Sequence, residues 1–213
     1  MVYFTGDIHG DPWGIIRFCE EQKLTESDIV VILGDVGVNF YMDERDEDSK
    51  FLLNYLKPTI FCIHGNHEQR PANIPGYELI DWHGGKVWVQ KQFPSLLFAK
   101  DGEIFQLGEY RYLVIGGAYS VDKLYRVARN LGWWPDEQPS EEIKAYVEQQ
   151  IQEKPFDVVL SHTCTTNMNR EKCSCHLLIR EGWIPVQNSG WIKLRIRFRI
   201  RPGFAAIGIQ IST

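Results

Sequence analysis

Metal-ligating residue types follow directly after strand-like runs of this 213-residue sequence. The run from Val2 to Thr5 is β-branched and aromatic, which suits a buried strand, and Gly6 then permits a sharp turn. Asp7 and His9 come next, two residues apart, and this spacing places both side chains on the same side of an extended backbone. A carboxylate and an imidazole presented together in this way indicate a metal or phosphate site.

The same arrangement recurs after three later apolar runs. These runs end in GDVG, GNHE and LSHT, and the ligand-type residues that they present are Asp35, Asn66, His67 and His162. In open α/β sheets, binding sites form at the carboxyl ends of the strands. We therefore expect four strands to deliver carboxylate, imidazole and amide groups to one edge of the fold.

Each of these residues also has an ordinary structural explanation when it is taken alone. Asp7 could cap the following helix, and Asp35 and Asn66 are residue types that favour turns. The acidic segment DERDED, residues 43–48, is expected to form a solvated loop and a helix start, where acids interact favourably with the helix dipole. The ordered series of motifs nevertheless favours one shared site over four unrelated turns.

Strands and helices that alternate along the chain position these motifs. Apolar strands are predicted at residues 2–5, 29–33 and 59–63, with helices at 13–22 and 48–56, a pattern typical of parallel βαβ units. Further strands are predicted at 86–90, 96–99, 103–107, 112–115 and 157–160, and further helices at 122–130 and 140–153. No repeat or low-complexity linker interrupts them, so we expect one compact α/β domain.

The ordered motifs resemble those of the calcineurin-like metallophosphoesterases, in a bacterial or phage-type branch of that family. The family order is D-x-H, GD, GNH(D/E), a lone His and G-H-x-H, and the first four stand here in order over residues 1–165. The stretches GGAYSVDK (116–123) and WWPDEQPS (133–140) add to the resemblance. It implies a four-layer α/β/β/α sandwich of two mixed β-sheets flanked by helices, with an aberrant C-terminal part.

The resemblance also implies a pair of divalent metal ions that act on a phosphate ester. Asp35 would bridge the two ions, Asp7 and His9 would bind the first, and Asn66 and His162 would bind the second. Mixed oxygen and imidazole ligands suit Mn, Fe, Zn or Co better than Ca. The expected reaction is hydrolysis of a phosphate mono- or diester by a hydroxide that the metal pair supplies.

Two further residues are candidates for acting on the substrate. In the family pattern His67 would protonate the leaving group as a general acid. Arg70 is a candidate for binding the substrate phosphate, although a surface ion pair with a nearby acid explains it equally well. Family members that hydrolyse phosphoproteins carry a further Asp in a GD-x-x-D element, where this chain has Val38, so protein-phosphatase activity is disfavoured.

The fifth family motif, G-H-x-H, is missing after His162, and the sequence changes character near residue 172. Residues 173–213 hold six Lys and Arg residues and a single acid, although the whole chain has a net charge of −5. We favour a shifted reading frame, because the codons of residues 204–211, read one base out of register, can encode C-G-H-W-H-T-D. The alternative is a genuine amphipathic strand whose basic face contacts nucleic acid or an acidic partner.

This break divides the chain into an incomplete metallophosphoesterase domain, residues 1–172, and an atypical basic tail, residues 173–213. Loss of the last motif would remove a ligand from each ion, so we expect this exact chain to have weakened activity. The alternative to a weakened enzyme is a catalytically inactive remnant, or a binding protein whose basic tail contacts nucleic acid.

Composition limits where the protein is expected to work. No apolar run is long enough to span a bilayer, and the N-terminus lacks the pattern of a secretory signal. The five cysteines are an odd, scattered set, which favours reduced thiols over a disulfide framework. We therefore expect a cytoplasmic protein that makes no use of a membrane.

Overall fold

The computed structural model describes residues 1–162 and, in addition, the backbone of four short strands. Our predictions about the basic tail, the missing motif and the shifted reading frame concern residues 173–213, whose side chains lie outside this description. The described helices are α1 (Trp13–Glu21), α2 (Glu44–Asn54), α3 (Lys123–Ala128) and α4 (Glu141–Glu153), with a 3-10 turn at Pro71–Asn73. The described strands are β1 (Val2–Thr5), β2 (Ile29–Ile32), β3 (Thr59–Cys62), β4 (Tyr77–Trp82), β5 (Gly85–Gln90), β6 (Leu96–Ala99), β7 (Ile104–Leu107), β8 (Tyr110–Ile115), β9 (Val158–Ser161), β10 (Cys175–Ile179), β11 (Gly182–Val186), β12 (Arg197–Arg201) and β13 (Phe204–Gly208).

Two mixed β-sheets form the centre of the fold, as predicted. The first sheet has the strand order β1-β2-β3-β6-β5-β4, in which the first four strands run parallel and the last two pair antiparallel. The second sheet has the order β11-β10-β9-β8-β7, in which β8 and β9 pair in parallel and the other neighbours pair antiparallel. The strands β12 and β13 form a separate antiparallel pair.

An apolar core lies between the two sheets. Successive side chains of a strand point to opposite faces, so every second residue of the first sheet faces this core. Phe4, Val31 and Phe61 of the first sheet are buried with Phe105 and Tyr112 of the second. The rings of Phe61 and Phe105 meet edge to face with centroids 4.9 Å apart. This packing fixes the position of one sheet, and of its strand ends, relative to the other sheet.

Helices cover the outer faces of the sheets. Tyr3 and Val30 of the first sheet pack with Ile15 of α1, on the face opposite to the central core. Val147 of α4 packs against Leu113 of the second sheet. The layers are therefore helix, sheet, sheet and helix, which confirms the predicted sandwich. None of the described helices is long and apolar enough to cross a membrane.

The acidic segment at residues 43–48 starts α2, as predicted, but it is not wholly solvated. Asp43 caps the helix by accepting a backbone hydrogen bond from its first turn. Asp46 is buried, and its carboxylate accepts hydrogen bonds from the backbone of Tyr41 and Met42, at 3.1 and 2.7 Å. The prediction of a solvated segment was therefore wrong for Asp46, because the preceding loop folds back onto its carboxylate.

The edge strand β4 was missed by the sequence prediction. Most of its residues are exposed, so it lacks the alternation of buried and exposed positions that reveals a strand. A turn at His83 and Gly84, both with positive φ, joins β4 to β5. The other elements predicted within residues 1–162 are present, with ends shifted by a few residues.

Candidate metal centre

The carboxyl ends of β1, β2, β3 and β9 meet at one edge of the molecule. Because β1, β2 and β3 are parallel neighbours, the loops that follow Thr5, Ile32 and Cys62 leave the sheet side by side. The strand β9 belongs to the other sheet, and His162 follows it directly. Nδ1 of His162 donates a hydrogen bond of 2.8 Å to the carbonyl of Leu33, which links the strand ends of the two sheets.

Asp35 lies among these loops and is only 3 % exposed. Its Oδ1 accepts backbone hydrogen bonds from Asn66 and His67, both of 2.9 Å. Its Oδ2 lies 3.9 Å from Nδ1 of His9. The loop after β3 therefore fixes one oxygen of the carboxylate and leaves the other near His9.

His9, Asp35 and His67 form a cluster of ligand-type atoms. One such atom of each residue lies within 4.8 Å of the others. The rings of His9 and His67 meet edge to face with centroids 5.5 Å apart. Burial lowers the pKa of His67, and the negative charge of Asp35 opposes this effect. The structure thus brings the predicted general acid next to two predicted metal ligands.

The side chains of His162 and Asn66 also meet at Asp35. Nε2 of His162 lies 3.0 Å from Oδ1 of Asn66 and 3.4 Å from Oδ1 of Asp35. Since Nδ1 of a neutral His162 carries the proton that is donated to Leu33, Nε2 bears a lone pair. Three atoms with lone pairs then converge, which is unfavourable unless a metal ion or an additional proton lies between them.

Asp7 joins the two histidines of the group. Its side chain is 11 % exposed, with Oδ1 at 3.8 Å from Nδ1 of His162 and Oδ2 at 3.9 Å from Nε2 of His9. Carboxylate, amide and imidazole groups in this combination fit a first-row transition metal ion better than calcium. The structure thus brings together all the predicted metal ligands, which are Asp7, His9, Asp35, Asn66 and His162.

Two motif glycines allow this close approach. A Cβ atom at Gly65 would lie 2.1 Å from Oδ1 of Asp35, and a Cβ atom at Gly34 would lie 2.2 Å from Nδ1 of His162. Gly34 also has a φ of +96°, which favours glycine. A side chain at either position would displace Asp35 or His162.

Gly65→Ala is expected to disrupt the site. The added methyl group overlaps with Asp35, so a loop must move, and the free energy of unfolding should fall by about 1–3 kcal/mol, as for other overpacked positions. Chemical denaturation measures this change. Gly14→Ala is the control, because Gly14 is exposed in the first turn of α1 and an alanine there should not lower the stability. Unchanged stability of Gly65→Ala would contradict the close contact with Asp35.

Glu68 is a buried residue to which sequence reasoning assigned no role. Its Oε1 accepts a hydrogen bond of 2.8 Å from the backbone of Gly65, and its Oε2 accepts one of 3.1 Å from Gly37. Burial, followed by the nearby charge of Asp35, raises the pKa of Glu68 to about 8. Glu68 ties the loop after β2 to the loop after β3, and its place in the GNHE motif was the available signal.

Arg70 makes its contacts outside this group. Its guanidinium pairs with Asp101, and Nε donates a hydrogen bond of 2.7 Å to the carbonyl of Asp136. The alternative explanation expected an ion pair at the surface. Arg70 is only 9 % exposed, so the pair is buried instead. Binding of the substrate phosphate by Arg70 stays a prediction, and its present contacts favour a structural role.

Arg70→Ala should lower the free energy of unfolding by about 3–5 kcal/mol, because it leaves Asp101 buried without its charged partner. Lys86→Ala is the matched control, since the exposed pair of Lys86 with Asp81 is worth less than about 1 kcal/mol. Urea denaturation of both variants measures the difference. Equal losses would contradict the structural role, and normal stability with a raised KM would support phosphate binding.

One family match bears on this group of residues. The family described as calcineurin-like phosphoesterase (Metallophos) matches residues 1–181. The match includes the four strand-end motifs and extends beyond residue 172, where we predicted the domain to end. Searches of curated proteins and of solved structures gave no significant match.

Proposed function

The chain belongs to the calcineurin-like phosphoesterase family, and from this premise we propose that it hydrolyses a phosphate mono- or diester with two divalent metal ions. One observation carries the proposal. Nε2 of His162 lies 3.0 Å from Oδ1 of Asn66 and 3.4 Å from Oδ1 of Asp35, so an imidazole, an amide oxygen and a carboxylate converge at one point. The negative charge of Asp35 and the dipole of the amide oxygen favour a cation at this point.

The proposed ligands divide between the two ions. Asp35 would serve both ions, Asp7 and His9 would hold one ion, and Asn66 and His162 would hold the other. Ions bound there would supply a hydroxide nucleophile and neutralise charge on the phosphoryl group. Mn, Fe, Zn or Co suits this mixture of oxygen and imidazole donors.

His67 is proposed to donate a proton to the leaving group. The ring of Phe40 stacks on it with centroids 6.5 Å apart, which limits the orientations of the imidazole. Val38, at the position where phosphoprotein-hydrolysing relatives carry an Asp, is fully buried and offers no charge to His67. The lowered pKa of His67 leaves less of the protonated form at neutral pH, so this role needs a direct test on the leaving group.

The missing G-H-x-H motif leads us to propose low activity that rises with metal concentration. Each ion would lack one ligand, and residues 173–213 lie outside the described side chains. Nothing in the described part of the chain favours the alternative of an inactive remnant or a nucleic-acid-binding protein. Salt-sensitive binding to nucleic acid that disappears on deletion of residues 173–213 would support that alternative.

Addition of Mn²⁺ to the metal-free chain tests the proposed function. Hydrolysis of p-nitrophenyl phosphate or bis(p-nitrophenyl) phosphate should appear with Mn²⁺, disappear with EDTA and return with more Mn²⁺. Bound metal should also stabilise the fold by about 2.7 kcal/mol at a free concentration near 100 times Kd, which raises Tm. A chain that neither binds Mn²⁺ nor hydrolyses either substrate would overturn the proposal.

A further inference from the structure

Ser120, Arg126 and Glu137 form a buried polar network beside Asn66. Each of the three is 3 % exposed or less. Oγ of Ser120 accepts a hydrogen bond of 2.9 Å from Nδ2 of Asn66 and one of 3.0 Å from Nη1 of Arg126. The same hydroxyl donates to Oε2 of Glu137 at 2.5 Å. Because a hydroxyl has one proton and two lone pairs, its hydrogen-bonding capacity is fully used.

This network decides which way the Asn66 amide points. An ionised carboxylate accepts hydrogen bonds but cannot donate them, so the Ser120 hydroxyl must donate its hydrogen bond to Glu137. The Ser120 oxygen then offers a lone pair to Asn66, to which the amide NH₂ group can donate and the amide oxygen cannot. Oδ1 of Asn66 is therefore turned away from Ser120, and it lies 3.0 Å from Nε2 of His162.

Glu137 is itself held at both oxygens. Oε1 accepts a hydrogen bond of 3.1 Å from the backbone of Ser120, and Oε2 accepts one of 2.8 Å from Nε1 of Trp133. Arg126 donates through Nη2 to the carbonyl of Gly132 and places a positive charge in the same buried region. The stretches GGAYSVDK and WWPDEQPS, for which sequence reasoning found no role, thus meet in one network.

We propose that Ser120 and Glu137 are positioning residues that present Oδ1 of Asn66 to the second metal ion, an inference that rests on the proposed function. An Asn66 amide in the reversed orientation would present its NH₂ group to the cation, and an N–H donor repels a cation. The two residues therefore set the affinity for one ion of the pair without being ligands themselves.

Glu137→Gln tests this proposal with little change in shape. In one orientation, the new carboxamide turns its NH₂ group toward Oγ of Ser120 and Nε1 of Trp133, so the Ser120 hydroxyl loses its acceptor. In the other orientation, the NH₂ group meets the backbone N–H of Ser120 and displaces that residue from Asn66. We expect the second equivalent of Mn²⁺ to bind about 10–100-fold more weakly, as when other supporting residues of metal sites are changed. The first equivalent should keep its wild-type affinity in isothermal titration calorimetry.

Glu141→Gln is the matched control for this titration. Glu141 is an exposed acid at the start of α4 that pairs with Lys144, so its variant should bind both equivalents like the wild type. Unchanged affinity for both equivalents in Glu137→Gln would overturn the positioning role. Equal weakening of both equivalents would also overturn it, because a general loss of structure moves both.

The side-chain amide of Asn66 provides a second readout in the metal-free chain. Its NH₂ signals, assigned by their loss in Asn66→Asp, should exchange slowly with water in the wild type and faster in Glu137→Gln. Slow exchange in both proteins would overturn the inference while the proposed function stands. If the wild type binds no Mn²⁺, the proposed function and this inference both fall, and the exchange rates then show whether the amide orientation itself holds.

Discussion

Asp35→Asn should lower kcat/KM for metal-dependent hydrolysis by about 10³-fold or more. Metal ions contribute several kcal/mol to transition-state stabilisation, and each factor of ten corresponds to about 1.4 kcal/mol. The substitution keeps the shape of the carboxylate but removes its charge. If the amide oxygen stays bound to the backbone of Asn66 and His67, the NH₂ group faces His9, where the proposed metal site requires an oxygen ligand.

Steady-state kinetics at saturating Mn²⁺ measures this loss, with Tm recorded to confirm that the variant is folded. Asp81→Asn is the matched control, because Asp81 is an exposed carboxylate whose partner is Lys86, on the neighbouring strand of a hairpin. Its kcat/KM should stay within about twofold of the wild type, as for most surface substitutions. If Asp35→Asn keeps most of the activity, Asp35 does not bridge the metal ions.

His67→Asn should affect substrates according to their leaving groups. General acid catalysis contributes about 10²–10⁴-fold when the leaving group needs a proton. Phenyl phosphate, whose phenolate leaves poorly, should lose this factor. The dinitrophenyl ester, whose phenolate leaves without protonation, should lose much less. The ratio of kcat/KM for the two esters isolates proton donation from other effects of the substitution.

Loss of activity in His67→Asn could also arise because His67 binds a metal ion. The comparison of the two esters separates this explanation from proton donation. Ligand atoms of His67, His9 and Asp35 lie within 4.8 Å of one another. If His67 binds a metal ion, both esters should lose activity equally, and the affinity for Mn²⁺ should fall. His83→Asn is the control, since His83 is exposed in the turn between β4 and β5 and its ring bonds the carbonyl of Gln106.

Local signals explain why the candidate site could be predicted from the sequence. The first three motifs combine an apolar run, a glycine and a polar residue within a short stretch, and the fourth places His162 directly after an apolar run. Hydrophobic periodicity then places such residues at strand ends. The order of strands and helices likewise predicted that β1, β2 and β3 lie in parallel.

The features that sequence reasoning missed depend on partners elsewhere in the chain. Arg70 forms its ion pair with Asp101, which lies 31 residues further along. Asp46 is buried because a loop folds over it, and no local pattern marks this. Exposure of β4 at a sheet edge removed the alternation that would have revealed it.

By itself, the sequence determined the chemical type of each candidate ligand and the strand that carries it. Only the tertiary structure decided how those candidate ligands are oriented. Nδ1 of His162 bonds Leu33, 129 residues away, and Nδ2 of Asn66 bonds Ser120, 54 residues away. Turn propensity and hydrophobic periodicity act between neighbours along the chain. The orientation of a buried polar side chain depends instead on the donors and acceptors that the fold places beside it, because a buried polar group must find a partner.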